Sequence, residues 1–550
     1  MLELIDYNNK ELMTRYMKGE KVRGVLLIDK ELKLRNWQME ALRLAVASGL
    51  CISTIYVNTL ENNPKEYRKH FFYYAFVASF RLKLKALKKE KIDLEMLGNP
   101  KIVKFAYHPN GKWCTFPVDY WQEIDEIDFV IKFDSALLRN MELLPIKFGV
   151  LSYHHGDPEI FRGRPVAFWE MFFQVTQIGV GVQLISDKLD AGKFLCLASA
   201  KISQFSYSRS VENAYAAGVP LLTQAIRKIQ IDGKAISSGI SPNGKVYSLP
   251  NNIVVCKFWA KILARLLAKF YYGLFVEKRW WIGEKRDLSF ISGENTLLSE
   301  SFHKLNGPQS ARFIADPMYS HNHGIFCEVM KRPRFKGQIW QYHQNRWKRV
   351  KLDTKHHFSY PQVLPNSKRI QIIPESSQYT SPRVYTLHSE TLNVIGEKNL
   401  KGLEKHRMLD ATLFENNEVW YLFGNSNVDN FESLRLWSAT SLESEFREHP
   451  NSPISTDIGN LRMAGPLFLQ DDVLLRFGQN NTKGYGRSIT IMKVIRLTPY
   501  QYSEERFGEI KFGDSFGPHT ISHSDRAFLL DGYSERFSPF AWLRRLLARA

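Results

Sequence analysis

The sequence predicts an α/β domain built on an open parallel sheet, followed by an all-β five-bladed propeller. Three observations carry that reading. Apolar runs alternate with helical periodicity between Val22 and Ile229. A stretch rich in Gly, Ser, Pro and Asn, Asp232 to Asn252, then interrupts the pattern as a linker does. Beyond it, five short phrases recur at intervals of about 50 residues, the period of propeller blades.

At 550 residues, with 44% hydrophobic and 13% aromatic content, the chain is long enough for two or more cored domains. The expected division is residues 1–231 for the α/β domain and 232–280 for a linker and basic helix. Residues 281–535 form the propeller and 536–550 a basic amphipathic tail. Cys51, Cys114, Cys196, Cys256 and Cys327 are scattered without paired spacing, so neither a zinc site nor a disulfide framework is expected. Met1 to Tyr16 carries Glu3, Asp6 and Glu11 and no long apolar run, and no stretch of about 20 uncharged apolar residues offers a membrane span. The expected location is cytoplasmic, with attachment at the inner face of the membrane as an alternative.

A formal charge of +19 suits phosphate-bearing partners. No helix-turn-helix, zinc-finger or RNP signature accompanies it, so nucleic acid is disfavoured. The same charge suits an anionic membrane surface, a glycolipid or a nucleotide sugar.

Taken in order, Val22 to Asp29 reads as a buried strand. A helix carrying Trp37, Ala41, Leu44 and Ala45 follows, then a strand from Ile52 to Val57. This βαβ pattern calls for right-handed parallel crossovers. No G-x-G-x-x-G follows the first strand, which counts against a nicotinamide cofactor. Phe71 to Leu87 reads as a helix and Asp128 to Phe133 as a strand. Phe148 to Leu151 is a strand that delivers Ser152 and His154 to its carboxyl end, where open α/β sheets place ligands. Val180 to Ile185 leads to Asp190 in a Gly-closed turn, so His154 is a candidate base and Asp190 its orienting carboxylate. Ser210 to Ile229 supplies a closing helix.

After the linker, Lys257, Lys261, Arg265 and Lys269 recur every four residues beside an apolar face. Such a helix lies on an anionic membrane surface or packs between domains. The tail repeats the pattern, with Trp542, Leu543, Leu546 and Leu547 opposing Arg544, Arg545 and Arg549.

The repeated phrases are A-D-P-M-Y (Ala315 to Tyr319), S-Y-P-Q-V (Ser359 to Val363), L-D-A-T-L-F (Leu409 to Phe414), A-G-P-L-F (Ala464 to Phe468) and H-T-I-S (His519 to Ser522). Five units give five blades, with the repeated residues at the axial end.

At Ser152-x-His154, Arg162-Gly163 and Asp190-x-Gly192 the chain resembles the formyltransferase family, which includes methionyl-tRNA, glycinamide ribonucleotide and sugar N-formyltransferases. The family carries Asn where this chain has Ser152, and that amide helps hold the oxyanion. Losing such a donor costs roughly 3 kcal/mol. The resemblance implies 10-formyltetrahydrofolate as donor, an amino sugar as acceptor, and His154, Asp190 and Ser152 as catalytic residues. His155, Asp157 and Arg162 are the adjoining substrate-binding candidates.

The second domain resembles the five-bladed propellers of the arabinanase and β-xylosidase type. More closely, it resembles the propeller-like domain of glucosamine inositolphosphorylceramide transferases. That resemblance places Asp316 and Asp410 on two functional aspartates and puts Ala464 where the hydrolases carry their acid. Glu375, in I-P-E-S-S, is the candidate substitute, and Asp316, Glu375, Asp410, Arg462 and His519 form the expected sugar-binding set. The leading expectation is formyl transfer to an amino sugar in carbohydrate or glycolipid biosynthesis. The alternatives are a propeller that transfers or cleaves a glycosyl group, and a non-catalytic carbohydrate-binding scaffold.

Overall fold

The computed structural model describes residues 22–60, 68–81, 84–121, 127–141, 145–186, 192–232, 241–286, 293–309, 311–331, 336–365, 369–376, 378–429, 431–524 and 527–549. The chain forms two compact units, Met1–Arg265 and Leu266–Ala550.

The first unit is organised by seven strands: β1 (Val22–Asp29), β2 (Leu50–Asn58), β3 (Lys101–Phe105), β4 (Ile127–Lys132), β5 (Ile146–His155), β6 (Gln177–Leu184) and β7 (Lys193–Lys201). Their spatial order is β7-β6-β5-β4-β1-β2-β3. The pairs β1 with β2, β2 with β3, β1 with β4 and β4 with β5 are parallel. The remaining two strands, β6 and β7, add as an antiparallel edge. Strand β1 is buried almost throughout, as a central parallel strand covered on both faces must be. One face of the sheet packs Leu26, Ile131 and Leu151. The other packs Val25, Leu27, Val130 and Val150.

The longer helices are α1 (Asn36–Ala47), α2 (Phe71–Arg81), α3 (Tyr207–Gly218), α4 (Leu221–Asp232) and α5 (Asn252–Phe275). The expected single closing helix is in fact two. The sequence Gly218-Val219-Pro220 stops α3 and starts α4, because proline cannot continue a helix but fits its first turn. The expected linker is also partly built into this unit. Lys245–Tyr247 pairs in parallel with Phe161–Gly163. Here a Cβ on Gly163, at φ 95°, would fall 2.1 Å from the Tyr247 carbonyl oxygen.

Two of the four cations that recur along α5 are engaged within the first unit. Lys261 donates to the Phe172 carbonyl at 2.9 Å, and Arg265 donates to Met171 at 2.8 Å and Gln204 at 3.3 Å. Met171 and Phe172 end the short helix Phe168–Phe172, whose last carbonyls attract positive charge. Among the described residues, no helix is long and apolar enough to cross a membrane.

The second unit is a five-bladed β-propeller. Blade 1 is Ala311–Ser320, Gly324–Lys331, Gln338–His343 and Arg346–Arg349. Blade 2 is Ser359–Val363, Ile370–Glu375, Arg383–Leu387 and Val394–Asn399. Blade 3 is Met408–Asn416, Val419–Ser426, Arg435–Ala439 and Arg447–Glu448. Blade 4 divides its inner strand into Arg462–Met463 and Phe468–Gln470, continues with Val473–Asn480, Ser488–Leu497 and Tyr502–Phe512, and takes Glu294–Leu297 at its edge. Blade 5 closes the ring with strands from both ends of the unit: Val276–Lys285 pairs along its whole length with Phe528–Phe537. The first strand of this blade, Val276–Lys285, follows α5 directly.

The repeated phrases mark one backbone device. The inner strands of blades 1, 2 and 3 each break register at the phrase. There Asp316, Tyr360 and Asp410 sit at φ 52°, 44° and 50°. Left-handed backbone costs a non-glycine residue about 1–3 kcal/mol. In blade 4 the corresponding residue is Gly465, at φ 151°, where a Cβ would lie 1.7 Å from the Ile521 carbonyl oxygen. The bulges turn the Asp316 carboxylate toward His519 and Thr520 and the Asp410 carboxylate toward Arg462.

Candidate functional site

The bulges bring two linked ionic groups to the propeller centre. In the first, the Asp316 carboxylate accepts hydrogen bonds from the Tyr360 N–H at 3.1 Å and the Thr520 hydroxyl at 2.8 Å. Asp531, absent from the sequence-derived set, accepts the N–H groups of Asp316, His519 and Thr520 at 3.1, 2.9 and 2.6 Å. Between these carboxylates lies His519, its Nδ1 3.2 Å from Asp316 and 3.4 Å from Asp531. Burial works against a charged imidazole, but the hydrogen bonds and charges of the two aspartates outweigh it and push His519 up to about 10. Burial likewise opposes the Asp316 carboxylate, and its bonds to His519, Thr520 and Tyr360 hold it below the usual range.

One ligand atom each of Asp316, His519 and Asp531 lies within 4.8 Å of the others, a spacing compatible with a metal ion. Their oxygens already accept backbone and hydroxyl hydrogens, and the imidazole carries its own proton between them. The donor set therefore fits an imidazolium clamp better than a divalent cation, which needs deprotonated, available ligands.

The second group joins blades 2, 3 and 4. Arg462 Nε meets Asp410 at 2.6 Å, and its Nη2 lies 3.9 Å from Glu375. Gln479 donates to Asp410 at 3.1 Å, and Glu375 accepts the Asp410 N–H at 2.8 Å. Burial and the neighbouring Asp410 charge push Glu375 up to about 8 despite Arg462. Glu328, buried on the second strand of blade 1, is also raised, by burial and then by Asp316 and Glu375. The centre thus holds one carboxyl kept below the usual range, Asp316, and one pushed above it, Glu375.

Aromatic rings flank His519: Tyr485 at 4.6 Å and Trp280 at 5.6 Å between centroids. Tyr485 is 48% exposed, so the centre has a solvent-facing aromatic wall. All five propeller residues expected from sequence occupy this centre. Those missed are Asp531, Thr520, Gln479, Glu328, Tyr485 and Trp280. Asp531 had a readable signal, a lone carboxylate inside the apolar run F-L-L-D-G-Y.

In the first unit, β5 runs through Ser152 and ends at His155. Ser152 and His154 share one face, since alternate residues of a strand do. His154 is buried against Phe194. His155 points to the opposite face, among Trp37, Tyr153 and Tyr215, and is not brought together with Ser152 and His154. Burial lowers its imidazole to about 3, so it stays neutral. Asp157 accepts the Glu159 N–H at 2.9 Å, and burial raises its carboxyl. Arg162 donates to the Gly244 carbonyl at 2.7 Å, holding the paired segment between α4 and α5. Asp190 lies outside the described residues.

A residue the sequence reading passed over stands beside Ser152. Lys132, the last residue of β4, is the register partner of Ser152 in the parallel pair. Its ammonium meets Asp134 Oδ1 at 2.8 Å and the Asp134 carbonyl at 3.0 Å. Asp134 also accepts the Tyr107 hydroxyl and the Ala136 N–H. Lys132 is 9% and Asp134 8% exposed, so this is a buried ion pair at the carboxyl edge of the sheet.

Residues 306–515 match the family model described as glucosamine inositolphosphorylceramide transferase 1, N-terminal. The glucosamine inositolphosphorylceramide transferase 1 of Oryza sativa subsp. japonica is 29% identical over 161 residues, which are 28% of this chain and 21% of that protein. The Arabidopsis thaliana protein of the same name is 26% identical over 161 residues, with the same coverage of 28% and 21%. The chain therefore spans about a fifth of the length of these curated relatives. The resemblance read from the repeated phrases is met by this match. Among solved structures, an N-formyltransferase from Helicobacter canadensis is 9% identical, covering 59% of this chain and 97% of that one at a TM-score of 0.28. A family 117 glycoside hydrolase from Zobellia galactanivorans is 10% identical, covering 48% and 91% at a TM-score of 0.28.

Proposed function

We propose that the chain is an enzyme of carbohydrate or glycolipid biosynthesis whose propeller centre binds and activates a glycosyl group. The observation that supports this best is the convergence of three carboxyls at the axis. Asp316 is held below the usual range by its bonds to His519, Thr520 and Tyr360, and Glu375, beside Asp410 and Arg462, is pushed up to about 8 by burial and the Asp410 charge. Breaking or exchanging a glycosidic bond requires a pair of carboxyls, one group giving a proton to the departing oxygen and the other countering positive charge on the sugar ring. Arg462, anchored to Asp410, orders the acid side, and the Trp280 and Tyr485 rings offer an apolar platform to a sugar face. The relatives' printed name supports an amino-sugar or inositol-bearing glycolipid as substrate class.

The test follows tryptophan fluorescence while aryl glycosides, amino sugars and glycolipid headgroups are titrated in. A saturable change with at least one ligand is expected, weakened by Arg462→Met, with turnover abolished by Asp316→Asn or Glu375→Gln. Turnover that survives both carboxyl variants sinks the proposal.

A second reading is favoured by Ser152 and His154 sharing a face at the carboxyl end of β5. In it the first unit transfers a formyl group from 10-formyltetrahydrofolate to an amino sugar, with His154 as base and Asp190 orienting it. Calorimetric titration with a stable analogue of that donor, run beside His154→Ala, is the test. Saturable binding by the wild type supports formyl transfer, and its absence from folded protein removes it.

A further inference from the structure

We propose that Lys132 is an oxyanion-binding residue and supplies the donor that Ser152, shorter than the amide it stands for, does not reach. The inference rests on the formyl-transfer reading of the first unit and adds a residue to that site.

Lys132 and Ser152 are register partners on adjacent parallel strands, so both side chains leave the same sheet face at strand spacing, about 4.8 Å. His154 follows on that face two residues later. The three therefore cluster at the carboxyl edge, the place where α/β sheets hold ligands. An ammonium has three donors. Two engage Asp134, at 2.8 and 3.0 Å, which fixes the head group and leaves one N–H with no partner among the described residues. Asp134 is itself fixed by Tyr107 and Ala136, so the charge is preorganised. Burying such a pair is costly, and an apolar pair of similar volume serves stability as well or better. Its position, beside a serine and a histidine, gives it a use that stability alone does not.

In the reaction, the acceptor amine's lone pair forms a bond to the formyl carbon and the carbonyl π pair moves onto oxygen. Lys132 donates to that oxygen. The amine's proton passes to His154, the bond from carbon to the donor nitrogen breaks as the carbonyl reforms, and His154 returns the proton to the leaving nitrogen. A preorganised charged donor facing the developing oxyanion acts where the charge appears.

The probe is 13C-formate, whose line width is followed as full-length protein is added. Saturable broadening is expected with wild type. Lys132→Met combined with Asp134→Asn removes both charges together and is expected to weaken binding at least about tenfold while preserving the melting transition. Ser152→Asn in the otherwise native chain is the second arm: it adds an amide donor, leaves the ion pair intact, and is expected to tighten formate binding about tenfold. Formate that fails to bind wild type saturably, binds the double variant equally well, or is indifferent to Ser152→Asn overturns the proposal. Because formate reports on the lysine and the folate analogue on the donor pocket, failure of one is distinguishable from failure of the other.

Discussion

The two candidate centres handle buried charge in opposite ways. At the propeller axis, Asp316, His519, Asp531, Arg462, Asp410 and Glu375 come from all five blades and satisfy one another through backbone N–H groups as well as side chains. At the sheet edge, one pair, Lys132 with Asp134, stands beside an uncharged serine. A network distributed over five blades ties the fold and the proton affinities of its members together, so truncating one member to alanine also costs stability, whereas an isosteric change such as Asp316→Asn keeps the packing. An isolated pair fixes one charge locally, and its removal tests function more cleanly.

The largest effect that sharpens this comparison is Asp531→Ala. It removes the acceptor of three backbone N–H groups and one side of the imidazolium clamp, and Asp531 is fully buried. Breaking one partner of a buried pair costs about 3–5 kcal/mol, so denaturant unfolding is expected to shift by that amount. A loss under about 1 kcal/mol breaks the contrast between network and isolated pair.

Next comes pH. His519 is pushed up to about 10 in the fold, against an unfolded value near 6.5. A raised value means that the folded state binds the proton more tightly. Its stabilisation is therefore complete below about pH 6.5 and declines, at about 1.4 kcal/mol per pH unit, as pH rises toward 10. Glu375, raised to about 8, acts in the same direction over a lower range. The propeller's melting temperature is expected to fall across pH 7–10, with a shallower slope in His519→Gln. An unchanged slope in that variant removes the clamp as the cause.

Much of this architecture was legible. The strands of the first unit stand out because buried parallel strands leave near-continuous apolar runs, and the axial aspartates stand out because the blades repeat. The bulges were hidden, since the register breaks at Asp316, Tyr360 and Asp410 depend on pairing across strands rather than on local composition. Lys132 was hidden for a related reason. In V-I-K-F it reads as a strand ending in solvent, and only the parallel register with Ser152 gives it meaning. Asp531 was visible as a charge within an apolar run, yet its partners come from the two ends of the unit.

Gly465→Ala is a smaller, local test. Blade 4 has glycine where blades 1 to 3 have Asp316, Tyr360 and Asp410, and the added Cβ would meet the Ile521 carbonyl oxygen at 1.7 Å. Overpacking of this kind costs about 1–3 kcal/mol. A stable variant with intact sugar binding would mean that blade 4 yields where the other bulges are rigid.

The smallest expected effect separates packing from chemistry on β5. His154 and His155 are adjacent, but the strand turns them to opposite faces, and the buried Nε2 of His155 has no hydrogen-bond partner among the described residues. Its imidazole is neutral across ordinary pH because burial lowers it to about 3, and the rings of Trp37, Tyr153 and Tyr215 surround it. His155→Phe replaces a neutral ring with a larger apolar one and relieves an unsatisfied nitrogen, so the change in stability is expected to stay within about 1 kcal/mol of zero. Formate and folate-analogue binding are expected to match wild type. A tenfold loss of either would instead place His155 in the site beside His154 and make both faces of the strand functional.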